Sequence, residues 1–321
     1  MPELSIILPS YNEEQNIENT YNTLTEIFGK EELSYELVFI SDGSTDATYS
    51  EICRMMQKDN RVKGAEFSRN FGKEAAIFAG LEISSGDAVV VMDCDLQHPP
   101  QVIFEMLEKW RAGAEVVEGI KSSRGKESIF HRAVTGVFYS IMTGLIKMDM
   151  KASSDFKLLD RKVVNALLEL PERDTFFRAL SFWVGFKTEK VYYDVQERQF
   201  GKSKWSTASL IRYAISNVTS FTTLPLKVVS AVGTVFVILS IGLGIQTLVR
   251  FIMGTAATGF TTVILLILLI GGLILVSLGV IGNYLARVYE EVKGRPRYII
   301  SNVTENIPTH MYIKGEWKKN D

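Results

Sequence analysis

Two carboxylates one residue apart, Asp93 and Asp95, end the apolar run Ala88-Val89-Val90-Val91-Met92 and are followed by Gln97, His98 and two prolines. Oxygen donors clustered in this way suit a hard cation, Mg2+ or Mn2+, which also takes up phosphate oxygens of a substrate. Strand side chains alternate with period two, so the spacing predicts that both carboxylates point to one side. A short continuous apolar run predicts a strand buried on both faces, the habit of a parallel sheet covered by helices. Ligands of such sheets bind beyond the carboxyl ends of the strands, where these acids lie. The plainer alternative is a turn whose aspartates cap the next helix, and the rest of the chain separates the two.

Two more expected strand ends carry polar loops. Residues 4–8 run into Pro9-Ser10-Tyr11-Asn12-Glu13, and residues 35–41 into Asp42-Gly43-Ser44-Thr45-Asp46. Further strands are expected at 62–67 and 115–120, with a helix from about Glu74 to Ser84 between the third strand and the one before Asp93. Strands alternating with helices predict βαβ units and a mostly parallel sheet. No G-x-G-x-x-G opens the first helix, which disfavours a dinucleotide fold. Three acid-bearing loops converging on one sheet edge suit a nucleotide, because carboxylates accept from ribose hydroxyls and a metal neutralises a diphosphate.

The chain has 321 residues and a net charge of −2, so it offers no bulk attraction for nucleic acid, and no nucleic-acid partner is expected. Its two cysteines, Cys53 and Cys94, suggest neither a disulfide framework nor a zinc site, and a reducing compartment is expected. The first strand starts almost at residue 1, with no signal peptide expected before it. Val228–Val249 and Val263–Ile281 are apolar and uncharged. At 1.5 Å per residue they measure about 33 and 28 Å, enough for a two-helix transmembrane hairpin. Lys227 on one side and Arg287, Lys293, Arg295 and Arg297 on the other predict that both ends stay in the cytoplasm. The expected division is a catalytic domain at 1–205, interfacial helices at 206–226, the hairpin at 227–286 and a cytoplasmic tail at 287–321.

The segments Pro9-Ser10-Tyr11-Asn12-Glu13, Ser41-Asp42-Gly43-Ser44-Thr45-Asp46 and Asp93-Cys94-Asp95-Leu96-Gln97-His98-Pro99 resemble the signature of family 2 glycosyltransferases with the GT-A fold. More narrowly, the chain is similar to polyprenyl-phosphate glycosyltransferases: dolichol-phosphate mannose synthases and bacterial bactoprenol glycosyltransferases. The resemblance implies an α/β GT-A domain of Rossmann-like build. It implies donor contacts from Pro9, Tyr11, Glu13, Asp42 and Asp93, and a metal held by Asp95 and Gln97 with Asp93. The middle motif begins Ser41-Asp42 where many relatives have two acids, which leaves Asp42 to take the role of the pair. The basic stretch 121–132 reads on its own as a solvated loop; the resemblance assigns Lys121, Arg124 and Arg132 to the acceptor lipid phosphate. Asp155, alone a turn residue, matches the family's catalytic base. The loop with Arg198, Lys202 and Lys204 implies closure over the donor diphosphate. Relatives also exchange a C-terminal strand between the subunits of a tetramer, which implies a homo-oligomer.

The aromatic stretch 174–186 reads either as a core helix or as one lying in the lipid headgroup layer. The function expected from all this is inverting transfer of one sugar from a UDP-sugar to undecaprenyl phosphate at the cytoplasmic face of the plasma membrane. UDP-glucose leads as donor, ahead of UDP-N-acetylglucosamine and GDP-mannose. Two rivals are a non-catalytic membrane scaffold and a processive synthase. Retention of Asp93, Asp95, Asp155 and the 198–204 loop opposes the first. Two spans and no Gln-x-x-Arg-Trp oppose the second.

Overall fold

The computed structural model describes residues 2–31, 33–122, 154–172, 176–194, 224–254 and 259–303. The chain alternates β1 (Leu4–Ser10), α1 (Glu14–Phe28), β2 (Tyr35–Ser41), α2 (Thr48–Lys58), β3 (Val62–Phe67), α3 (Lys73–Ile83), β4 (Ala88–Val91), α4 (Val102–Arg111) and β5 (Val116–Lys121). These are the strands expected from the apolar runs, with β1 two residues longer, β4 ending one residue sooner and β5 shifted by one residue. After them come β6 (Lys157–Asp160), α5 (Arg161–Glu169), α6 (Phe177–Trp183), β7 (Thr188–Tyr193), the long helices α7 (Leu224–Ile252) and α8 (Phe260–Val292), and β8 (Ile300–Val303).

The described strands form one sheet in the order β7-β5-β6-β4-β1-β2-β3-β8. Strands β4, β1, β2 and β3 run parallel, whereas β6 lies antiparallel between β4 and β5 and β8 runs antiparallel to β3. The chain builds outward from β1 to β2 and β3, then returns to place β4 on the other side of β1. That reversal falls between β1 and β4, and doubly wound sheets bind ligands beyond the carboxyl ends of the strands at such a point.

Alternation along the strands covers both faces. Side chains of one parity, Ile6, Leu8, Leu37, Phe39 and Val90, pack with Ile17, Leu24, Ile52, Met55 and Ile103 from α1, α2 and α4. Val38 and Ile40, of the other parity, pack with Ala65, Ala76, Ala79 and Ile83. Each fully buried aliphatic side chain stabilises the fold by about 1.5–3 kcal/mol. Helix α3 sits tightly on β1: a Cβ on Gly80 would fall 2.2 Å from Ile7 Cγ2, so no larger residue fits there.

By its contacts the chain divides into two compact units, Met1–Trp205 with Pro296–Asp321, and Ser206–Arg295. In the second, α7 has 29 residues and α8 has 33. Two stretches of them, Pro225–Ile252 and Leu269–Val292, are long and apolar enough to cross a membrane, with mean hydropathy 2.4 and 2.0. Helices α7 and α8 contain the two runs expected to span, and α8 continues past the expected end of the hairpin at 286. The interfacial segment expected at 206–226 lies outside the described residues up to 223. Within the first unit, Tyr298 stacks on Phe67 at 4.9 Å and bonds Glu82, and β8 follows along β3.

Candidate functional site

The loops after β1 and β2 are knitted to each other by side chains accepting from backbone. Asn12 Oδ1 accepts from Thr45 N at 2.8 Å, Thr48 Oγ1 from Glu13 N at 2.9 Å, and Glu14 Oε2 from Ala47 N at 3.0 Å. Asn12 holds φ 54°, a left-handed conformation that asparagine tolerates better than most residues. Asp46, two residues before α2, accepts from Thr48 N at 3.0 Å. Pro9 lies in β1, and Tyr11, 39% exposed, stands just past the strand end. Glu13 binds the Asn16 amide at the start of α1.

Asp42 has a role that no local pattern announces. It is 3% exposed, and its Oδ1 accepts from Phe71 N at 2.6 Å while its Oδ2 accepts from Gly72 N at 2.9 Å. Burial pushes this carboxyl up, against the two backbone bonds that lower it. The nucleoside contact expected of Asp42 has to use the lone pairs these bonds leave. Gly43 makes the approach possible: it adopts φ 59°, and a Cβ there would strike the Arg69 backbone at 2.2 Å. Asp42 thereby fixes the backbone immediately ahead of Lys73, the first residue of α3.

A cation at a helix N-terminus opposes the helix dipole, and Lys73 is compensated by two carboxylates. Its Nζ lies 2.6 Å from Asp93 Oδ1 and 2.9 Å from Asp155 Oδ2. Asp155 in turn takes Arg178 Nε on Oδ1 at 2.6 Å and Arg178 Nη2 on Oδ2 at 2.9 Å. Burial would raise Asp155, but Lys73 and Arg178 outweigh it and hold the carboxyl well below its usual range. Burial likewise works against Asp93, and Lys73 foremost brings it below its ordinary value. Lys73 is kept charged: desolvation disfavours the ammonium, while Asp155 and Asp93 push its pKa up. Beneath the chain, Glu74 accepts from Phe177 N at 2.8 Å, and burial with the nearby Asp155 charge raises it to about 7. A second buried pair, Lys157 with Glu118 at 3.0 Å, also donates to Ser181 Oγ on α6 at 2.9 Å.

The structure corrects the geometric premise for Asp93 and Asp95. Strand β4 ends at Val91, so period-two alternation does not extend to them. They sit in a turn in which Leu96 has φ 53° and Asp95 Oδ1 accepts from Gln97 N at 3.1 Å. Burial foremost raises the intervening Cys94 thiol, and the charges of Glu13, Asp93 and Asp95 add to it. His98 is buried, stacks on Phe156 at 4.8 Å, and its Nδ1 has no hydrogen-bond partner among the described residues. Lys121 ends β5, where desolvation and Arg178 lower its pKa against the pull of Asp93 and Asp95. The structure therefore brings Asp93 and Asp155 together on Lys73, with Lys121 and Asp95 near enough to interact electrostatically, while Asp42 supports the backbone ahead of Lys73. Arg124, Arg132, Arg198, Lys202 and Lys204 lie outside the described residues.

Among the described residues no group of three or more His, Cys, Asp or Glu is placed to hold a metal. That excludes a protein-only cage there, yet it suits Mg2+ or Mn2+, which keep waters and bind through one or two carboxylates plus substrate phosphates. Asp95 and Asp93 are acids of that kind, and Gln97 is tied to Asp95 through its backbone N–H.

Lys73, Glu74 and Arg178 escaped the sequence reading. Lys73 closes a Gly-containing turn after β3, and a lysine at a helix start was the available signal. Arg178 was hidden among its neighbours Phe176, Phe177, Phe182 and Trp183. Helix α6 divides the two expectations for that stretch: Phe176 and Phe177 are core, whereas Phe182 and Trp183 are exposed.

The family described as glycosyl transferase family 2 matches residues 5–164. An uncharacterized glycosyltransferase of Synechocystis sp., sll0501, is 39% identical over 303 residues, covering 94% of this chain and 95% of its own. The putative glycosyltransferase CsbB of Bacillus subtilis is 40% identical, covering 95% of this chain and 92% of its own. The bactoprenol glucosyl transferase of Shigella phage SfII is 38% identical, covering 93% and 97%. Among solved structures, glucosyl-3-phosphoglycerate synthase from Mycobacterium tuberculosis with Mn2+ and UDP-glucose covers 68% of this chain and 77% of its own, at a TM-score of 0.47 and 19% identity, too distant to bear on any site residue.

Proposed function

The chain belongs to glycosyl transferase family 2, and we propose that it transfers glucose from UDP-glucose to undecaprenyl phosphate at a membrane surface, with inversion at the anomeric carbon. The observation that carries this reading is the ion chain Asp93–Lys73–Asp155–Arg178, which sets a donor-side acid and an acceptor-side acid one lysine apart at the carboxyl edge of the sheet. Glucose and the lipid carrier are supported by the relatives named bactoprenol glucosyl transferase. The order of the two compact units along the chain supports the membrane placement. The sheet takes strands from both before and after α7 and α8, so a chain that crosses a bilayer has to cross it an even number of times. Two spans satisfy that, with the sheet on one side; the positive residues flanking the hairpin favour the cytoplasm.

In the proposed reaction an oxygen of the acceptor phosphate attacks C1 of glucose, the bond from C1 to the diphosphate breaks, and UDP leaves. Bound Mg2+ or Mn2+, held by Asp95 and Asp93 with Gln97, would neutralise charge developing on the diphosphate. Pro9, Tyr11 and Glu13 would line the nucleoside end, with Asp42 behind them holding the loop after β3 through Phe71 N and Gly72 N. The second ionisation of a phosphate monoester falls near pH 6, so at neutral pH the acceptor is already mostly dianionic. Asp155, held well below the usual carboxylate range, is a weak base. Its expected role as base therefore narrows to orientation. Arg124, Arg132, Arg198, Lys202 and Lys204 keep their proposed phosphate roles from the family resemblance, and a homo-oligomer remains the proposed assembly, to be sized in detergent.

The test is a donor panel. Purified protein in lipid nanodiscs receives undecaprenyl phosphate and labelled UDP-glucose, UDP-N-acetylglucosamine or GDP-mannose, and the lipid product is identified by mass. Glucosyl-phospho-undecaprenol from UDP-glucose alone supports the reading. Faster transfer from another donor would replace glucose, and no transfer from any donor would remove the enzyme reading.

A further inference from the structure

We propose that Lys73 and Arg178 are the phosphate-facing cations of the reaction centre, and that Asp155 is the buried counter-ion that aims them. This rests on the acceptor being a phosphate, as set out above. A dianionic acceptor repels a carboxylate, so an ionised Asp155 has no favourable direct contact to offer it. Its two partners do. Exposure orders the three groups: the Asp155 side chain is 8% accessible, Arg178 30% and Lys73 40%. The cations thus form the outer layer and the carboxylate the inner one.

The spacing of the two cations is built, and by more than Asp155. Glu74, the residue after Lys73, accepts the backbone N–H of Phe177, the residue before Arg178. One hydrogen bond therefore joins the immediate neighbours of both cations. Asp42 fixes the backbone on the other side of Lys73 through Phe71 N and Gly72 N. Ser181 on α6 is tied to Lys157 on β6, which locks the helix carrying Arg178. Lys73 has three N–H bonds, and among the described residues two are directed to Asp93 and Asp155, leaving the third for the cleft. A guanidinium and an ammonium held on one buried carboxylate set two positive charges side by side, an arrangement that suits the charge of a terminal phosphate. The chemical class is a phosphate monoester, here the headgroup of the acceptor lipid.

The test uses the full-length protein in nanodiscs with Arg178→Gln, Arg178→Lys and Lys73→Met. Loss of one charge-assisted hydrogen bond should raise the KM for undecaprenyl phosphate roughly 10- to 150-fold in Arg178→Gln, with UDP-glucose KM within about threefold of wild type. Arg178→Lys should recover part of that loss by restoring the charge. Lys73→Met should raise acceptor KM and lower kcat together, because Lys73 also touches the donor-side Asp93. Calorimetric binding of UDP to each variant shows that the site is folded, independently of turnover. An acceptor KM in Arg178→Gln within about threefold of wild type, with UDP binding intact, would overturn the assignment and leave Arg178 as scaffold for Asp155. Failure of the underlying reading is seen separately, in the wild-type arm: no lipid product with undecaprenyl phosphate at all.

Discussion

Replacing Asp42 distinguishes a loop anchor from a nucleoside ligand. In Asp42→Asn the amide oxygen can still accept from Phe71 N, but the amide nitrogen then faces Gly72 N, which loses the 2.9 Å bond to Oδ2 and keeps the longer 3.2 Å one to Oδ1. Losing one hydrogen bond to a charged acceptor costs about 1.5–3 kcal/mol. Asp42→Ala takes the acceptor from both half-buried N–H groups, at up to about 1–3 kcal/mol each. For a domain of about 200 residues each kcal/mol lowers Tm by roughly 2–4 °C, so Asn should lower it by roughly 3–12 °C. The displaced backbone leads directly into Lys73, so kcat should fall with either variant while the KM for UDP-glucose changes little. The assay is a thermal melt of the detergent-solubilised protein alongside steady-state kinetics in both substrates. A variant with wild-type Tm and kcat but a tenfold higher donor KM would refute the anchoring role and return Asp42 to the nucleoside.

Chelation by EDTA should abolish transfer and Asp95→Ala should do the same, with Mg2+ or Mn2+ restoring only the wild type; undiminished turnover in EDTA counts against metal use. Lys157→Ala removes the ion pair from the buried Glu118 carboxylate, and breaking a buried pair of this kind costs about 3–5 kcal/mol, visible as a loss of several degrees in Tm. Burial works to raise Glu36, yet bonds from Lys63, Ser5 and Ser85 bring it below its ordinary 4.5. A depressed carboxyl contributes stability above its unfolded pKa and loses it as pH falls through the folded value. Urea melts of wild type should therefore weaken below about pH 4.5, and Glu36→Gln should show a shallower decline over that acid range.

The doubly wound half was legible because its strands are unbroken apolar runs, and residues 35–41 and 62–67 fell on β2 and β3 without adjustment. The two long apolar helices were legible as unbroken uncharged runs at Val228–Val249 and Val263–Ile281. The antiparallel insertion of β6 between β4 and β5 was not, since four residues of strand carry no mark of direction. The same limit hid the site's wiring. Lys73 and Asp155 are 82 positions apart, and a pairing at that separation has no periodicity to betray it. Asp93 and Asp95 were found by residue type, although the stated reason for their common direction failed once β4 stopped at Val91.

Strand β8 gives the molecule a late closing step. Its partner β3 is complete at Phe67, while Ile300 emerges only after both long helices have been made. At about 5–20 residues per second, roughly 10–50 s of synthesis separate the two. Throughout that interval the N–H and C=O groups along β3 are an open sheet edge, the kind that recruits foreign strands. Tyr298, stacking on Phe67 as the tail returns, ends the exposure. A ribosome that stalls within the hairpin thus leaves behind a chain whose sheet is folded but unsealed, marked for aggregation or degradation by the strand it never received.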